Sequence, residues 1–381
     1  MARETEIRPV VITVVVGTRP EIVKMAPVLA ALREDGTPFS LVHTGQHYDR
    51  EMSEVFLEEL DVGKPDVFLD VGSGTHAKQT AEALLRLEEP LAGERPDLVL
   101  VEGDTNTVLA AALSAVKLQI DVAHVEAGPR SYDPRMPEEQ NRRLVDHLSS
   151  FLFAPSEQCQ ANLRRESVWG QVFVTGNPVI DACLKFLPLA ERKSKALDRI
   201  RAEEFGLATA HRAENVDDPR TLKEIVRIFT SSPVPVVFPL HPRTRDRLKE
   251  FGLYDALADS PNVEIIPPQG YFDFLLLMKH ARFILTDSGG IQQEATAPNL
   301  RKKVFVLRTN TESPEAVAAG YVEILGTEAA LALPRIERFA ENPKVPAGAS
   351  PYGDGHSGGR IAEILKDLLE GGDWPLRRSL V

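Results

Sequence analysis

The stretch LVLVEGDTNTVLAAALSAVKLQIDVAHVE, residues 98–126, carries the pattern on which the fold turns. Leu98–Glu102 is an unbroken, β-branched apolar run that ends in an acid. Gly103 and Asp104 interrupt it, and Thr105–Lys117 then has the alanine- and leucine-rich composition of a helix. Val122–Glu126 repeats the first run. Continuous apolar strands separated by a helix belong to a parallel sheet covered on both faces.

The same alternation extends in both directions. Strands are expected at Val10–Val16, Ser40–His43, Phe151–Ala154 and Val172–Thr175, with helices near Pro20, over Asp49–Leu60, Pro137–Leu148 and Ser156–Arg165, and from Pro178. Leu187–Gly206 is charged and without a strand signal, which marks a hinge region. The alternation restarts with Leu207–Ala210, Val234–Leu240, Val263–Pro267, Phe283–Thr286, Val304–Leu307 and Val322–Leu325. A Gly/Pro/Ser-rich stretch, Pro343–Gly359, precedes a last amphipathic helix, Arg360–Leu369. The expected fold class is α/β: two Rossmann-like, doubly wound parallel-sheet domains facing across a cleft. The expected boundaries are 1–178 and 179–358, with 359–381 as a C-terminal helical segment.

Composition narrows the function. The 381 residues are 43% apolar and 26% charged, ordinary for a globular chain. Forty-four basic against fifty-six acidic residues give a net charge of −12, which argues against duplex DNA or an anionic membrane as partner. Cys159 and Cys183 make neither a disulfide framework nor a zinc pattern. The apolar run at Val10–Val16 is too short to span a bilayer and ends in a turn. A cytoplasmic protein is expected, without metal, nucleic acid or membrane.

In doubly wound sheets ligands bind beyond the carboxyl ends of the strands, so the residues directly after each strand carry the chemistry. After the first come Gly17, Arg19 and Pro20, with Lys24 one turn on; cations at a helix start suit a phosphate, and an ordinary βα turn explains them equally well. Asp104 and Glu126 end two strands of the same half. Paired acids in a partly dry cleft divide acid and base work, whereas Asp104 taken alone reads as the cap of the helix at Thr105. Glu138 and Glu139 occupy the first turn of a helix, where acids are favoured in any protein. In the second half His211 and Arg212 follow a strand directly. TDSGGIQQEA, residues 286–295, is the sharpest signal: Ser288, Gly289 and Gly290 let a diphosphate approach bare N–H groups, Glu294 lies one turn later, and Arg308 follows the next strand. VGSGTHA, residues 71–77, fits a dinucleotide glycine fingerprint but lacks an acid at the end of a following strand about 20 residues on, so no nicotinamide cofactor is expected.

Taken together, GTRPEIVKMAPV, HTGQHYD, EGDTNTVLAAALSA, HVEAGPRS, MPEEQNRRLVDHLS, VTGNPVID, AHRAEN, TDSGGIQQEA, VLRTNTESPEAVAAG and SPYGDGHSGGRI resemble, in collinear order from Val14 to Ile361, the non-hydrolysing UDP-N-acetylglucosamine 2-epimerases. The resemblance implies the GT-B architecture, with the C-terminal helix packing back on the first domain, a homodimer, no cofactor, and interconversion of UDP-GlcNAc and UDP-ManNAc by elimination of UDP to a 2-acetamidoglucal and re-addition. It implies catalytic roles for Asp104, Glu126, Glu138 and His211. It implies UDP contacts from Arg19, Lys24, Gln269, Phe274, Ser288, Gly289, Gly290, Glu294 and Arg308. Gln46 and His47 match the region that helps form a regulatory UDP-GlcNAc site, but Tyr48 and Asp49 replace an Arg and another polar residue of many bacterial members. RSYD and MPEE also occur in relatives acting on UDP-2,3-diacetamido-glucuronic acid or UDP-N-acetylfucosamine-type sugars, which makes these sugars the alternative substrates.

Overall fold

The computed structural model describes residues 11–46 and 50–370, without the side chains of 50–53, 55 and 370. Two compact units emerge. The first holds the residues up to Ala182 together with those from Gly355 onward; the second is Cys183–Asp354.

In the first unit the chain runs β1 (Ile12–Val16), α1 (Arg19–Glu34), β2 (Phe39–His43), α2 (Arg50–Glu59), β3 (Val67–Phe68), α3 (His76–Glu94) and β4 (Leu98–Glu102). It continues through α4 (Asn106–Lys117), β5 (Asp121–Val125), α5 (Pro137–Leu148), β6 (Phe151–Ala154), α6 (Glu157–Arg165), β7 (Gln171–Val174) and α7 (Pro178–Lys193), in which the boundary falls. The second unit runs β8 (Gly206–Ala208), α8 (Ala213–Val216), α9 (Pro219–Thr230), β9 (Val236–Pro239), α10 (Pro242–Glu250), α11 (Tyr254–Ala258) and β10 (Val263–Ile266). Next come α12 (Tyr271–His280), β11 (Ile284–Thr286), α13 (Gly289–Glu294), β12 (Val304–Val306), α14 (Pro314–Ala318), β13 (Val322–Ile324) and α15 (Ala329–Glu341). The last described helix, α16 (Ser357–Glu370), belongs to the first unit and packs on α1. Contact there is close: a Cβ on Gly358 would come within 2.8 Å of the Pro27 backbone.

Both sheets are wholly parallel among the described residues. Their orders are β3-β2-β1-β4-β5-β6-β7 and β10-β9-β8-β11-β12-β13. Each order reverses beside its first strand, between β1 and β4 and between β8 and β11. The connections that leave the two neighbouring strands part there and leave room for a ligand. The strands β1, β4 and β5 are buried along their whole length, as sheets covered on both faces require.

Several runs in the sequence extend a residue or two beyond the strands they mark. Leu207–Ala210 yields a strand only to Ala208, and Val304–Leu307 one to Val306. The two-residue β3 lies where the sequence before the glycine fingerprint offers only a possible strand, because Val67–Phe68 is too short to raise a periodic signal. The glycine fingerprint at residues 71–77 lies beyond β3 and leads into α3, whose cap is Thr75.

Candidate functional site

In the first unit, polar side chains converge where β1, β4 and β5 end. Gly17 leaves β1 under tight confinement, since a Cβ there would collide with the hydroxyls of Thr44 and Thr107. Glu21, in the first turn of α1, folds back over this turn. Its carboxyl accepts from Gly17 N–H at 2.6 Å and from the Thr18 hydroxyl at 2.9 Å. Burial pushes Glu21 up to about 7, against the hydrogen bonds from Thr105, Gly17 and Thr18 that lower it.

Lys24 follows one turn later and is buried. Its ammonium lies 2.8 Å from Glu102 Oε1, at the end of β4, and 2.7 Å from Glu126 Oε2, just past β5. Burial works against this charge, but the two carboxylates outweigh it and hold the lysine protonated. Glu102 is raised well above the usual carboxylate range, first by burial and then by the neighbouring Glu126, with Lys24 acting the other way. Glu126 also accepts from Asn177 Nδ2 at 2.8 Å. The Glu126 backbone lies in the left-handed region, φ 64°, which costs a non-glycine residue energy and turns its side chain off the strand towards Lys24.

Asp104 is not the cap of α4. Thr105 is, accepting the Val108 N–H, so the Asp104 side chain is left for another task. It forms an ion pair with the Arg142 guanidinium of α5, and its carbonyl accepts from Asn141 Nδ2 at 2.8 Å. Arg142 is further held by Glu139 at 3.3 Å. Glu139 in turn closes the loop before α5 by accepting from Ser131 N–H at 2.9 Å. Glu139 is thus structural, while its neighbour Glu138 is half-buried in the first turn of α5. The Arg19 guanidinium lies over the Phe56 ring, 5.2 Å from its centroid. Gln46 is buried: it accepts from the Thr107 hydroxyl at 2.8 Å and contacts Gln79 at 3.4 Å. His47, Tyr48 and Asp49 lie outside the described residues.

Behind the acids runs a buried support. Asp146 takes His124 Nδ1 at 2.8 Å and Arg130 Nη2 at 2.6 Å. Burial opposes its charge, but His124 and Arg130 outweigh burial and hold its carboxyl below the ordinary value. The opposite His124 nitrogen lies 2.8 Å from the Gly103 carbonyl, fixing the turn that carries Asp104.

In the second unit the organiser is Asp287, the residue after β11. Its Oδ2 accepts from the N–H groups of His211 and Arg212, both at 2.9 Å, and from Asn215 at 3.1 Å. Its Oδ1 lies 3.3 Å from His211 Nδ1. One buried carboxylate therefore fixes the turn after β8 and lies beside the imidazole on it. Ser288 stands at the N-cap position of the short α13 without a side-chain capping bond, and Gly290 is open: a Cβ there would meet nothing within 4 Å. Gly289, by contrast, is pressed against the Glu312 carboxylate, onto which a Cβ would fall. Glu312 takes Arg308 Nη1 at 2.8 Å and Arg212 Nη2 at 3.6 Å. Glu294 ends α13 half-buried, and Phe274 is half-buried in α12. Gln269 donates to the Pro267 carbonyl at 2.6 Å.

The structure thus joins Lys24 directly to Glu126, and groups His211 with the Ser288–Gly290 turn and Arg308 through Asp287, Asn215 and Glu312. Glu21, Glu102, Arg142, Asn177 and Glu312 were not singled out from sequence. The available signals were faint: a glutamate three residues after Thr18, and a charge ending the apolar run at Glu102. Among the described residues no cluster of three metal-binding side chains occurs, and no helix is long and apolar enough to cross a membrane.

The family model for UDP-N-acetylglucosamine 2-epimerase matches residues 30–366. The chain belongs to that family. A UDP-N-acetylglucosamine 2-epimerase of Methanocaldococcus jannaschii is 44% identical over 370 residues, covering 93% of this chain and 98% of the relative. The crystal structure of the M. jannaschii enzyme in complex with UDP-GlcNAc and UDP matches with a TM-score of 0.86 over 93% of this chain and 99% of that one. A UDP-2,3-diacetamido-2,3-dideoxy-D-glucuronate 2-epimerase of Pseudomonas aeruginosa is 38% identical over 364 residues, covering 94% of this chain and 99% of the relative. For this epimerase the fold class is accordingly the GT-B type, built from two Rossmann-like parallel-sheet units.

Proposed function

We propose that this epimerase interconverts UDP-GlcNAc and UDP-ManNAc by anti elimination of UDP to a 2-acetamidoglucal and re-addition with C2 inverted, supplying precursors of cell-surface polysaccharide. The observation that carries the reading is Glu126, a buried carboxylate held in a costly backbone conformation against Lys24 and Asn177. Such an arrangement is that of a group kept ready for proton transfer rather than of a stabilising surface acid.

In this proposal the second unit holds the nucleotide. The Ser288–Gly290 turn, with Arg308 and His211, takes the diphosphate; Glu294 takes the ribose, and Gln269 and Phe274 the uracil. Arg19 adds positive charge from the first unit, while Lys24, expected as a UDP cation, is engaged by Glu102 and Glu126 and steadies Glu126 instead. Stabilising the departing UDP gives the sugar oxocarbenium character, which acidifies the C2 proton. One of Asp104, Glu126 and Glu138 removes that proton; another returns one to the opposite face. Arg142 on Asp104 and Lys24 on Glu126 hold the two carboxylates in place.

The test is incubation with UDP-GlcNAc in deuterated water, followed by NMR. UDP-ManNAc should appear with deuterium at C2 in both sugars. Retention of all C2 protium, with no C2 epimer formed, would reject the reaction. The 38% identity to a diacetamido-glucuronate epimerase supports a second reading, the same chemistry on that sugar, which a substrate panel separates. We also infer a homodimer, supported by the exposed apolar side chains Leu85 on α3 and Leu144 on α5, and a cytoplasmic setting, supported by two buried free cysteines. Sedimentation velocity tests the first and fractionation the second.

A further inference from the structure

We propose that Glu102 is a positioning residue of this site: it shares Lys24 with Glu126, so that the lysine does not quench Glu126 as a base. The inference rests on the acid/base reading of Glu126 given above. Glu102 pairs in register with Val125, so the two acids leave neighbouring strands one residue apart. Both carboxylates meet the same Nζ, at 2.8 and 2.7 Å, which puts their bonded oxygens no more than 5.5 Å apart. The side chain of Glu102 is 1% exposed and touches no bulk water.

The charged groups facing Glu102 are Lys24 and Glu21 from α1 and Glu126 from the end of β5. The neighbouring strand β1 reads ITVVV and has no ionisable side chain, and α4 has only Lys117, in its last turn. Asp104, two residues on, is already matched by Arg142. Two carboxylates therefore share one ammonium in a buried volume, with the Glu21 carboxyl as a further neighbour of Glu102. Buried charge without a partner is costly, so this cluster retains a proton. An ammonium bound to Glu126 alone would form a tight one-to-one pair and make it a poor base. Dividing the ammonium between two acids leaves part of the negative charge on Glu126.

The experiment compares pH profiles of C2 deuterium exchange from UDP-GlcNAc for the whole enzyme and for E102Q and E102D. In E102Q the acid limb of kcat/KM should move to lower pH by about one unit, the effect of removing one nearby negative charge, and plateau kcat should fall at least tenfold with UDP affinity unchanged. E102D keeps the charge and should restore the wild-type limb. A limb that superimposes on wild type in E102Q, or moves to higher pH, overturns the role. If the wild type itself exchanges no deuterium, the proposed reaction fails instead. Glu102 is then read by carboxyl carbon-13 NMR of the wild type, assigned with E102D. Titration in steps coupled to those of the Glu126 carboxyl supports the shared-lysine cluster, and independent titration of the two carboxyls overturns it.

Discussion

Glu21→Gln should reverse a pH dependence that wild-type stability carries. Glu21 is 2% exposed and holds its proton to about 7, whereas a glutamate in the unfolded chain ionises near 4.5. Between these values the folded protein binds more protons than the unfolded one, so raising the pH favours unfolding. A difference of about 2.5 units, at 1.36 kcal/mol per unit, makes the cost about 3 kcal/mol. It is absent below pH 4.5, grows through the window and is complete above pH 7. Gln fits the same hydrogen bonds: its oxygen takes the Gly17 N–H and its amide donates to the Thr18 hydroxyl. Urea unfolding of both proteins, followed by circular dichroism at pH 5, 6, 7 and 8, isolates the effect, because contributions from other groups cancel in the difference. The variant should exceed wild type by about 1 kcal/mol at pH 5 and by about 3 kcal/mol at pH 8. A flat difference, or a wild type that gains on the variant as pH rises, would refute the reasoning.

Other consequences can be checked separately. Burial holds His43 down to about 4, and its Nδ1 accepts the Gly45 N–H at 2.9 Å, so stability should fall as pH drops from about 6.5 to 4; His43→Asn, whose Oδ1 can take the same bond, should flatten that slope in urea titrations. Gly290→Ala should leave the melting temperature unchanged and weaken UDP binding in calorimetry, whereas Gly289→Ala, displacing Glu312, should lower both. Gly128→Ala combines φ 91° with a Cβ 2.5 Å from the Cys159 carbonyl oxygen, and should cost about 1–3 kcal/mol in thermal unfolding. Asp104→Asn should cut turnover by about 10²–10⁴-fold with UDP affinity retained, as loss of a proton-transfer group does.

The two sheets were legible because fully covered parallel strands advertise themselves as apolar runs, and residues 98–126 show two such runs around one helix. The positions after those runs were legible for the same reason: a strand must end where its polar residues begin. What stayed hidden is pairing. Glu21 after Pro20 looks like any acid in a first helical turn, and only the tight turn at Gly17 makes it bury its carboxyl. Lys24 looks like a solvated cation until its partners arrive from the ends of β4 and β5, 78 and 102 residues later in the chain. Asp104 misled in the opposite direction. An Asp beside a helix start reads as a cap, yet Thr105 takes that place and the carboxylate goes to Arg142, 38 residues on. Composition near a residue tells whether it ends a strand or opens a helix. Its proton affinity is decided by what the neighbouring strand brings, and in a sheet whose order reverses between β1 and β4 that neighbour is distant in sequence. The Glu126 backbone shows the cost of this arrangement: the apolar run predicts a strand through Glu126, but the strand stops at Val125, and the left-handed turn that stops it aims the carboxylate at Lys24.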